Sequence, residues 1–204
     1  MKIIELKNIT KKYRKKVVFK DFSYQFNSGK VYLLIGDNGS GKTTLIKVIL
    51  GLARITEGVI SMAPIEYTFI PERLELPEML RVQDFLVNIA LIKKKGKNYY
   101  KIQELLTDWE LDGGKRIGEL SKGMRQKILV IQMILSEAEL FFLDEPLNGL
   151  DYNSKKKVIE IIQELKVQGK TFIISSHYPD IYPYDYLLSF TDGRVYESFN
   201  KMSL

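Results

Sequence analysis

The stretch VYLLIGDNGSGKTTL at residues 31–45 decides the fold of this chain. Five apolar residues typical of a buried strand lead into a glycine-rich turn, and a helical pattern follows the turn. Gly36, Gly41, Lys42 and Thr43 follow the spacing GxxxxGK[ST], which in this strand-to-helix context indicates a phosphate-binding loop. The alternative is a chance glycine turn before a helix. Because backbone N–H groups and a helix N-terminus favour anions, the stretch predicts a nucleoside triphosphate site.

A second motif, LFFLDEP at residues 140–146, is an apolar strand that ends in two carboxylates. The carboxyl ends of parallel strands are where an α/β sheet opens its ligand crevice. Asp144 suits a Mg²⁺ ion, and Glu145 suits activation of the water that attacks the γ phosphate. The alternative, a strand followed by an acidic helix cap, is weakened by the phosphate-binding loop upstream.

Two further positions are candidate site residues. His177, the single histidine, follows the apolar run TFIIS at 171–175, so we expect it on the same sheet rim as Asp144 and within reach of the γ phosphate. Ser121 in the run LSKGM is a good helix N-cap, and local physics alone favours that role. The same helix N-terminus also suits an anion, such as the nucleotide of a second copy.

The remaining pattern predicts an α/β fold in one domain over residues 1–204. Strands are expected within 1–36 and at 58–62, 66–70, 140–143 and 171–175, with a terminal hairpin around Asp192–Gly193. Helices are expected at 42–50 and around Val158, Ile162 and Leu165, and apolar residues at helical spacing predict a helical insert from about 77 to 135. Strands that alternate with helices indicate a mainly parallel sheet.

Composition excludes several classes of protein. The 204 residues contain 31 Lys and Arg, 25 Asp and Glu and no cysteine, which excludes a disulfide framework and a thiolate metal site. The basic runs at 11–16, 93–97 and 155–157 are interpreted as solvated faces, with proximity to phosphate or to anionic lipid as the alternative. No interleaved aromatic and basic pattern indicates nucleic acid. No apolar run approaches the roughly 20 residues that span a bilayer, and the start lacks a secretory pattern, so we expect a soluble protein.

Five motifs in this order resemble the ATP-binding cassette family, the nucleotide-hydrolysing subunits of ABC transporters, over essentially the whole chain. They are GDNGSGKT as Walker A, LFFLDEP as Walker B, LSKGM as the signature usually written LSGGQ, LNGLD as the D-loop, and SSH ending at His177 as the switch histidine. The resemblance implies an α/β P-loop NTPase fold with a mainly parallel core sheet, N-terminal antiparallel strands and a helical insert.

The resemblance also implies residue roles. Tyr13 would stack on adenine beside Val18, although an ordinary turn tyrosine is the alternative. The phosphates would be held by Asn38, Gly39, Ser40, Gly41, Lys42, Thr43 and Thr44, the metal by Thr43, Glu72 and Asp144, and catalysis would fall to Glu145, His177 and Lys42. Ser121, Lys122, Gly123 and Met124 would contact the γ phosphate held by the opposite subunit, and Asp151 would pass the state of one site to the other.

Departures from the family pattern refine the expected function. Glu72 stands where the family has the Q-loop glutamine, and Lys122 and Met124 replace a glycine and a glutamine of the signature. These features resemble bacterial exporters whose ATPase and permease are separate chains. We therefore expect a Mg²⁺-dependent ATP hydrolase that forms a homodimer around two ATP molecules and drives an integral membrane permease in export, from the cytoplasmic face of the membrane. The alternative is a soluble ABC ATPase acting on a cytosolic assembly, and no nucleic acid partner is expected.

Overall fold

A computed structural model of the chain describes residues 1–14, 16–73, 75–92 and 99–199. The basic run at 93–97 lies outside the described residues. Within them, the strands are β1 (Lys2–Tyr13), β2 (Lys16–Asn27), β3 (Val31–Ile35), β4 (Glu57–Met62), β5 (Tyr67–Ile70), β6 (Leu140–Asp144), β7 (Thr171–Ser175), β8 (Tyr186–Thr191) and β9 (Arg194–Phe199). The α-helices are α1 (Lys42–Ile49), α2 (Val82–Ile92), α3 (Tyr99–Asp108), α4 (Lys122–Ser136) and α5 (Tyr152–Val167), with short 3₁₀ turns at Ile117–Glu119 and Pro179–Ile181.

The strands form two sheets. A three-stranded antiparallel sheet has the order β2-β1-β4, and a six-stranded sheet has the order β5-β6-β7-β3-β8-β9. In the larger sheet every neighbouring pair is parallel except the β8–β9 hairpin. The α/β fold class, with a mainly parallel core sheet and N-terminal antiparallel strands, is therefore confirmed.

Side chains alternate across the core sheet and divide the interior into two apolar clusters. On one face, Leu33 and Phe172 pack with the helices α2, α4 and α5. On the other face, Leu34 and Ile173 pack with α1 and the antiparallel sheet. Because the core strands are covered on both sides, their near-continuous apolar runs were readable as buried strands.

The helical insert lies along one face of this sheet. Its helices α2, α3 and α4 contribute the apolar positions found at helical spacing, and Trp109, directly after α3, is only 2% exposed. The predicted boundaries were close: helix begins at Val82 rather than Pro77, and α1 ends at Ile49 rather than at residue 50. No helix in the described part of the chain is both long and apolar enough to cross a membrane.

Candidate functional site

One cavity of about 320 Å³ lies at the carboxyl ends of the core strands, and this volume falls within the usual range for small-molecule sites. Residues of the phosphate-binding loop form its floor, the ends of β6 and β7 form one wall, and β1 and β2 form its mouth. Its lining residues are Tyr13, Lys16, Val18, Asn38, Gly39, Gly41, Lys42, Thr43, Thr44, Glu72, Asp144, Glu145 and His177. Every residue that sequence analysis assigned to the chain's own nucleotide, to the metal or to catalysis lines this cavity except Ser40.

Ser40 is a loop residue that does not line this cavity. Its hydroxyl is buried without a hydrogen-bond partner and sits close to Gly36, where an added Cβ would lie 2.8 Å from Ser40 Oγ. The loop can pack this tightly because Gly36 and Gly41 have φ values of 143° and 121°, which side-chain-bearing residues rarely adopt.

Lys42 begins α1 and is 6% exposed. Its ammonium donates to the carbonyl oxygens of Gly36 and Asp37, the latter at 3.2 Å. Burial lowers the pKa of Lys42, while the carboxylates of Glu145 and Asp144 oppose that shift. The loop therefore holds the Lys42 ammonium against backbone carbonyl oxygens at the floor of the cavity. There its positive charge would attract a bound phosphate.

A contact between two distant motifs joins Thr43 to Asp144. Thr43 lies at the start of α1, and Asp144 lies at the end of β6. The Thr43 hydroxyl is 2.9 and 2.8 Å from the two carboxylate oxygens of Asp144. The Ser175 hydroxyl at the end of β7 donates to the same carboxylate. Asp144 and Ser175 end the adjacent parallel strands β6 and β7, and Thr43 lies in the helix that follows β3, the neighbour of β7 on its other side. The three groups therefore meet at one rim of the sheet, where the carboxyl ends of parallel strands were predicted to lie.

Glu145 and His177 also meet at this rim. His177 Nε2 lies 3.0 Å from Glu145 Oε1, and the Glu145 side chain is almost fully buried. Burial raises the pKa of Glu145 to about 7; the Lys42 charge lowers it, and the charges of Asp144 and Glu72 raise it. A carboxylate with a pKa near neutrality suits general-base chemistry.

Oxygen donors for a hard cation are limited to a small set. Within residues 1–14, 16–73, 75–92 and 99–199, no group of three or more His, Cys, Asp or Glu side chains is placed to hold a metal ion. Thr43 and Asp144 supply a hydroxyl and a carboxylate side by side, while Glu72 is exposed at the cavity wall. This set fits Mg²⁺, which typically takes one or two protein carboxylates together with waters and substrate phosphates.

Lys16 is a lining residue that sequence analysis missed. Its ammonium donates to the Gly39 carbonyl at 3.3 Å, which brings a positive charge to the mouth of the cavity. The basic run at 11–16 was interpreted as a solvated face, and only the pairing of β1 with β2 turns this lysine toward the loop. The sequence signal that could have identified Lys16 as a lining residue was its position, three residues after the candidate stacking tyrosine Tyr13.

The signature motif does not line this cavity. Ser121 accepts a hydrogen bond from Met124 N at 3.3 Å and so acts as the N-cap of α4. An added Cβ on Gly123 would lie 2.6 Å from the Gly149 carbonyl oxygen, and the Lys122 side chain also packs at Gly149. The signature therefore lies directly against the loop LNGLD.

Asp151, at the end of that loop, is the N-cap of α5. Its carboxylate accepts 2.8 Å hydrogen bonds from the backbone N–H and the hydroxyl of Ser154, and these bonds lower the pKa of Asp151. Lys127 of α4 lies 3.7 Å from the same carboxylate. In this structure the two motifs form one exposed surface outside the nucleotide cavity.

Known proteins match both the sequence and the fold. The ABC transporter family model matches residues 19–148. A manganese transport system ATP-binding protein from Listeria monocytogenes, MntB, is 31% identical over 85% of this chain and 80% of that protein. A solved ATP-binding subunit of an ABC transporter superimposes with a TM-score of 0.84 at 28% identity, over 97% of this chain and 90% of the other.

A further solved structure is similar in fold alone. It is a dimeric ATP-binding cassette in a post-hydrolysis state bound to ADP and Pi, with a TM-score of 0.83 at 20% identity over 97% of this chain and 98% of the other. The family match covers more than half of the chain, and it agrees with the phosphate-binding loop, the strand-end acids and the histidine gathered in one cavity. The chain therefore belongs to the ABC transporter family, as an ATP-binding protein with ABC-type ATPase activity.

Proposed function

We propose that this chain hydrolyses ATP with Mg²⁺ between two copies of itself and drives a separate membrane permease. The observation that carries the proposal is the buried Glu145 carboxylate, 3.0 Å from His177 Nε2 at the wall of the nucleotide cavity. The whole chain, residues 1–204, acts in this proposal as one nucleotide-binding domain, with the helical subdomain at about 77–135 inserted in its core.

The catalytic roles follow from the positions of the groups. Glu145 accepts the proton of the water that attacks the γ phosphorus, and His177 orients that carboxylate and donates a hydrogen bond to the γ phosphate. Lys42 and the loop N–H groups of residues 38–44 hold the phosphates, while Tyr13 and Val18 contact adenine. Mg²⁺, bound by Thr43 and Asp144 with Glu72 near it, would neutralise charge on the phosphates.

The dimer in this proposal completes each site. Ser121, Lys122, Gly123 and Met124 lie outside the cavity of their own chain, so they are available to a nucleotide held by the other copy. Asp151 then reports across the interface. Because charge-assisted hydrogen bonds contribute roughly 1.5 to 3 kcal/mol each, loss of the γ phosphate removes enough contacts to open the dimer.

The permease partner is supported by the name of the relative from Listeria, which describes a transport system. A place at the cytoplasmic face of the membrane is part of the same proposal. The helical insert and Glu72 are where the permease would dock. That name does not support the sequence expectation of export: the relative from Listeria belongs to a manganese transport system. We propose ATP-driven transport with the cargo and its direction set by the permease, and metal ions such as manganese are the first cargo to test.

Replacing the proposed general base tests the chemistry. We expect Glu145→Gln to bind ATP with nearly unchanged affinity and to lower turnover by at least about 100-fold, because only the transition state needs the carboxylate. Phosphate release and calorimetric titration measure the two effects. Glu160→Gln, which removes an exposed carboxylate of α5 that pairs with Lys156, is the matched control and should leave both unchanged. Unchanged turnover in Glu145→Gln would remove Glu145 from this role.

Copurification tests the partner. Tagged Glu145→Gln should be isolated with ATP from solubilised host membranes, because the arrested dimer holds its partner longest. A stoichiometric polytopic membrane protein is expected, and metal uptake or release in vesicles with that protein then gives the direction. A soluble complex without a membrane protein would instead support the cytosolic ABC ATPase.

A further inference from the structure

A buried lysine lies behind the tyrosine at the mouth of the cavity. Lys11 is 8% exposed, although lysine is among the residues least often buried, and its ammonium sits 4.1 Å from the centre of the Tyr13 ring. Tyr13 itself is 48% exposed and lines the nucleotide cavity, whereas Lys11 does not line it. The ammonium therefore touches the nucleotide site only through the tyrosine ring.

The position of Lys11 is fixed by the segment that joins α1 to β4. Its ammonium donates to the Arg54 carbonyl at 2.7 Å, and the flanking residues Thr10 and Lys12 bond to Thr56 at 2.8 and 3.0 Å. Among the described residues no carboxylate lies within ion-pair distance of this ammonium. Its charge is directed at a neutral carbonyl and at the face of an aromatic ring.

A cation on one face of a ring changes the chemistry of the other face. The π faces of aromatic rings are electron-rich, so two stacked rings repel each other unless they are offset. An ammonium draws electron density toward itself, which makes the opposite face less negative and more favourable for an electron-rich purine. It also holds the ring in one orientation, so less freedom is lost when a base stacks.

We propose that Lys11 is a positioning residue for the nucleobase: it covers one face of Tyr13 and prepares the other face to stack on a purine. This inference rests on the proposed role of Tyr13 and adds a residue to it. The effect is confined to the base, because the ammonium reaches the site through the ring and not through the phosphates.

The test compares ATP with a ligand that has no base. Binding of ATP and of inorganic tripolyphosphate to the full chain is measured by calorimetry in EDTA, which prevents hydrolysis. Lys11→Gln removes the charge and keeps an amide donor for the Arg54 carbonyl. We expect it to weaken ATP binding about fivefold, the size of a partly desolvated cation–π contact, and to leave tripolyphosphate binding unchanged.

Further variants separate positioning from structure. Lys11→Arg keeps the cation and should retain affinity for ATP, whereas Lys11→Met should lower that affinity as much as Lys11→Gln does. If Lys11 served only as a structural hydrogen-bond donor, Lys11→Met alone would lose affinity for ATP. Lys12→Met removes the neighbouring exposed lysine as the charge control and should have no effect. In a Tyr13→Ala background, Lys11→Gln should no longer change ATP affinity.

The outcomes distinguish this inference from the proposed function. If Tyr13→Ala weakens ATP binding but Lys11→Gln does not, the role of Lys11 is wrong and the nucleotide site stands. The inference is also overturned if Lys11→Gln weakens the binding of ATP and of tripolyphosphate equally. It is likewise overturned if Lys11→Gln lowers ATP affinity by the same factor in the Tyr13→Ala background. If the unaltered chain binds neither ligand, the proposed function itself fails.

Discussion

At the scale of single residues, Glu145 concentrates the unusual features of the site. It has a positive φ of 50°, which is uncommon for a residue with a side chain, and its N–H donates to the carbonyl and the hydroxyl oxygen of Ser175 at 3.1 and 3.2 Å. These bonds hold the backbone turn that follows β6. The turn places the carboxylate beside His177 and below the surface, and burial raises its pKa.

The raised pKa of Glu145 predicts how stability depends on pH. Since the folded pKa is about 7 and the usual value is 4.5, the folded chain binds more protons than the unfolded chain between these values. The contribution of Glu145 to stability is therefore fully present below pH 4.5 and is lost as the pH rises through 7. A shift of this size corresponds to at most about 3 kcal/mol.

Urea unfolding of the nucleotide-free chain measures this effect. Glutamine does not titrate, so Glu145→Gln should gain stability relative to the unaltered chain as the pH is raised from 5 to 8. Glu160→Gln, at an exposed position, should keep a constant difference over the same range. A constant difference for Glu145→Gln as well would contradict the burial of a titrating carboxylate at this position.

At the scale of elements, the loop between β3 and α1 depends on close packing against other elements. An added Cβ at Gly41 would lie 2.6 Å from Val18 Cγ1 of β2, and one at Gly36 would lie 2.6 Å from the Phe190 carbonyl oxygen of β8. The loop is thus enclosed by the antiparallel sheet and by a core strand. This enclosure fixes the direction of the N–H groups that would meet phosphate.

Gly41→Ala tests this packing. The new methyl group collides with Val18 and the backbone has a φ of 121°, so we expect nucleotide binding to be lost and stability to fall by about 1 to 3 kcal/mol. Gly51→Ala is the matched control: it also has a positive φ, of 71°, but an added Cβ there meets nothing within 4 Å. Gly51→Ala should lower the free energy of unfolding by about 1 kcal/mol and leave ATP affinity intact. Thermal unfolding measures the first effect, and calorimetric titration with ATP measures the second. Native ATP affinity in Gly41→Ala would show that the loop is not held as described.

At the scale of the whole molecule, the nucleotide cavity and the surface formed by the signature and the D-loop are separate features of one chain. Ser121 caps α4 and Asp151 caps α5, so each has a structural role before any dimer forms. A substitution that keeps the helix cap but changes the charge separates this structural role from the proposed contact with the nucleotide of the other copy.

Ser121→Asp makes that separation. Aspartate caps helices as well as serine does, so the melting temperature of the monomer should change little. Its carboxylate would repel a γ phosphate, so dimerisation of the Glu145→Gln chain with ATP, followed by light scattering, should be abolished. Ser121→Asn keeps the cap without the charge and should dimerise far better. Equal dimerisation of all three chains would refute the contact across the interface.

The local motifs could be predicted because their information is local. An apolar run, a glycine turn and a helix start lie consecutively at residues 31–45, and the acids at 144 and 145 directly follow a buried strand. Parallel strands share one rim for their carboxyl ends, so the meeting of Thr43 with Asp144, 101 positions apart, followed from the fold class. The α/β class, the helical insert and the terminal hairpin were also confirmed. They could be predicted because hydrophobic periodicity and turn residues are local signals as well.

What the amino-acid sequence determined by itself was thus the order of elements, the phosphate-binding loop and the family. Only the tertiary structure decided which neighbours surround these motifs: Lys16 at the cavity mouth, Lys11 behind Tyr13, the Ser40 hydroxyl against Gly36, and Gly123 against Gly149. These contacts join segments that no local pattern relates, because they depend on how the antiparallel sheet and the helices pack on the core. The burial that raises the pKa of Glu145 likewise exists only after that packing is complete.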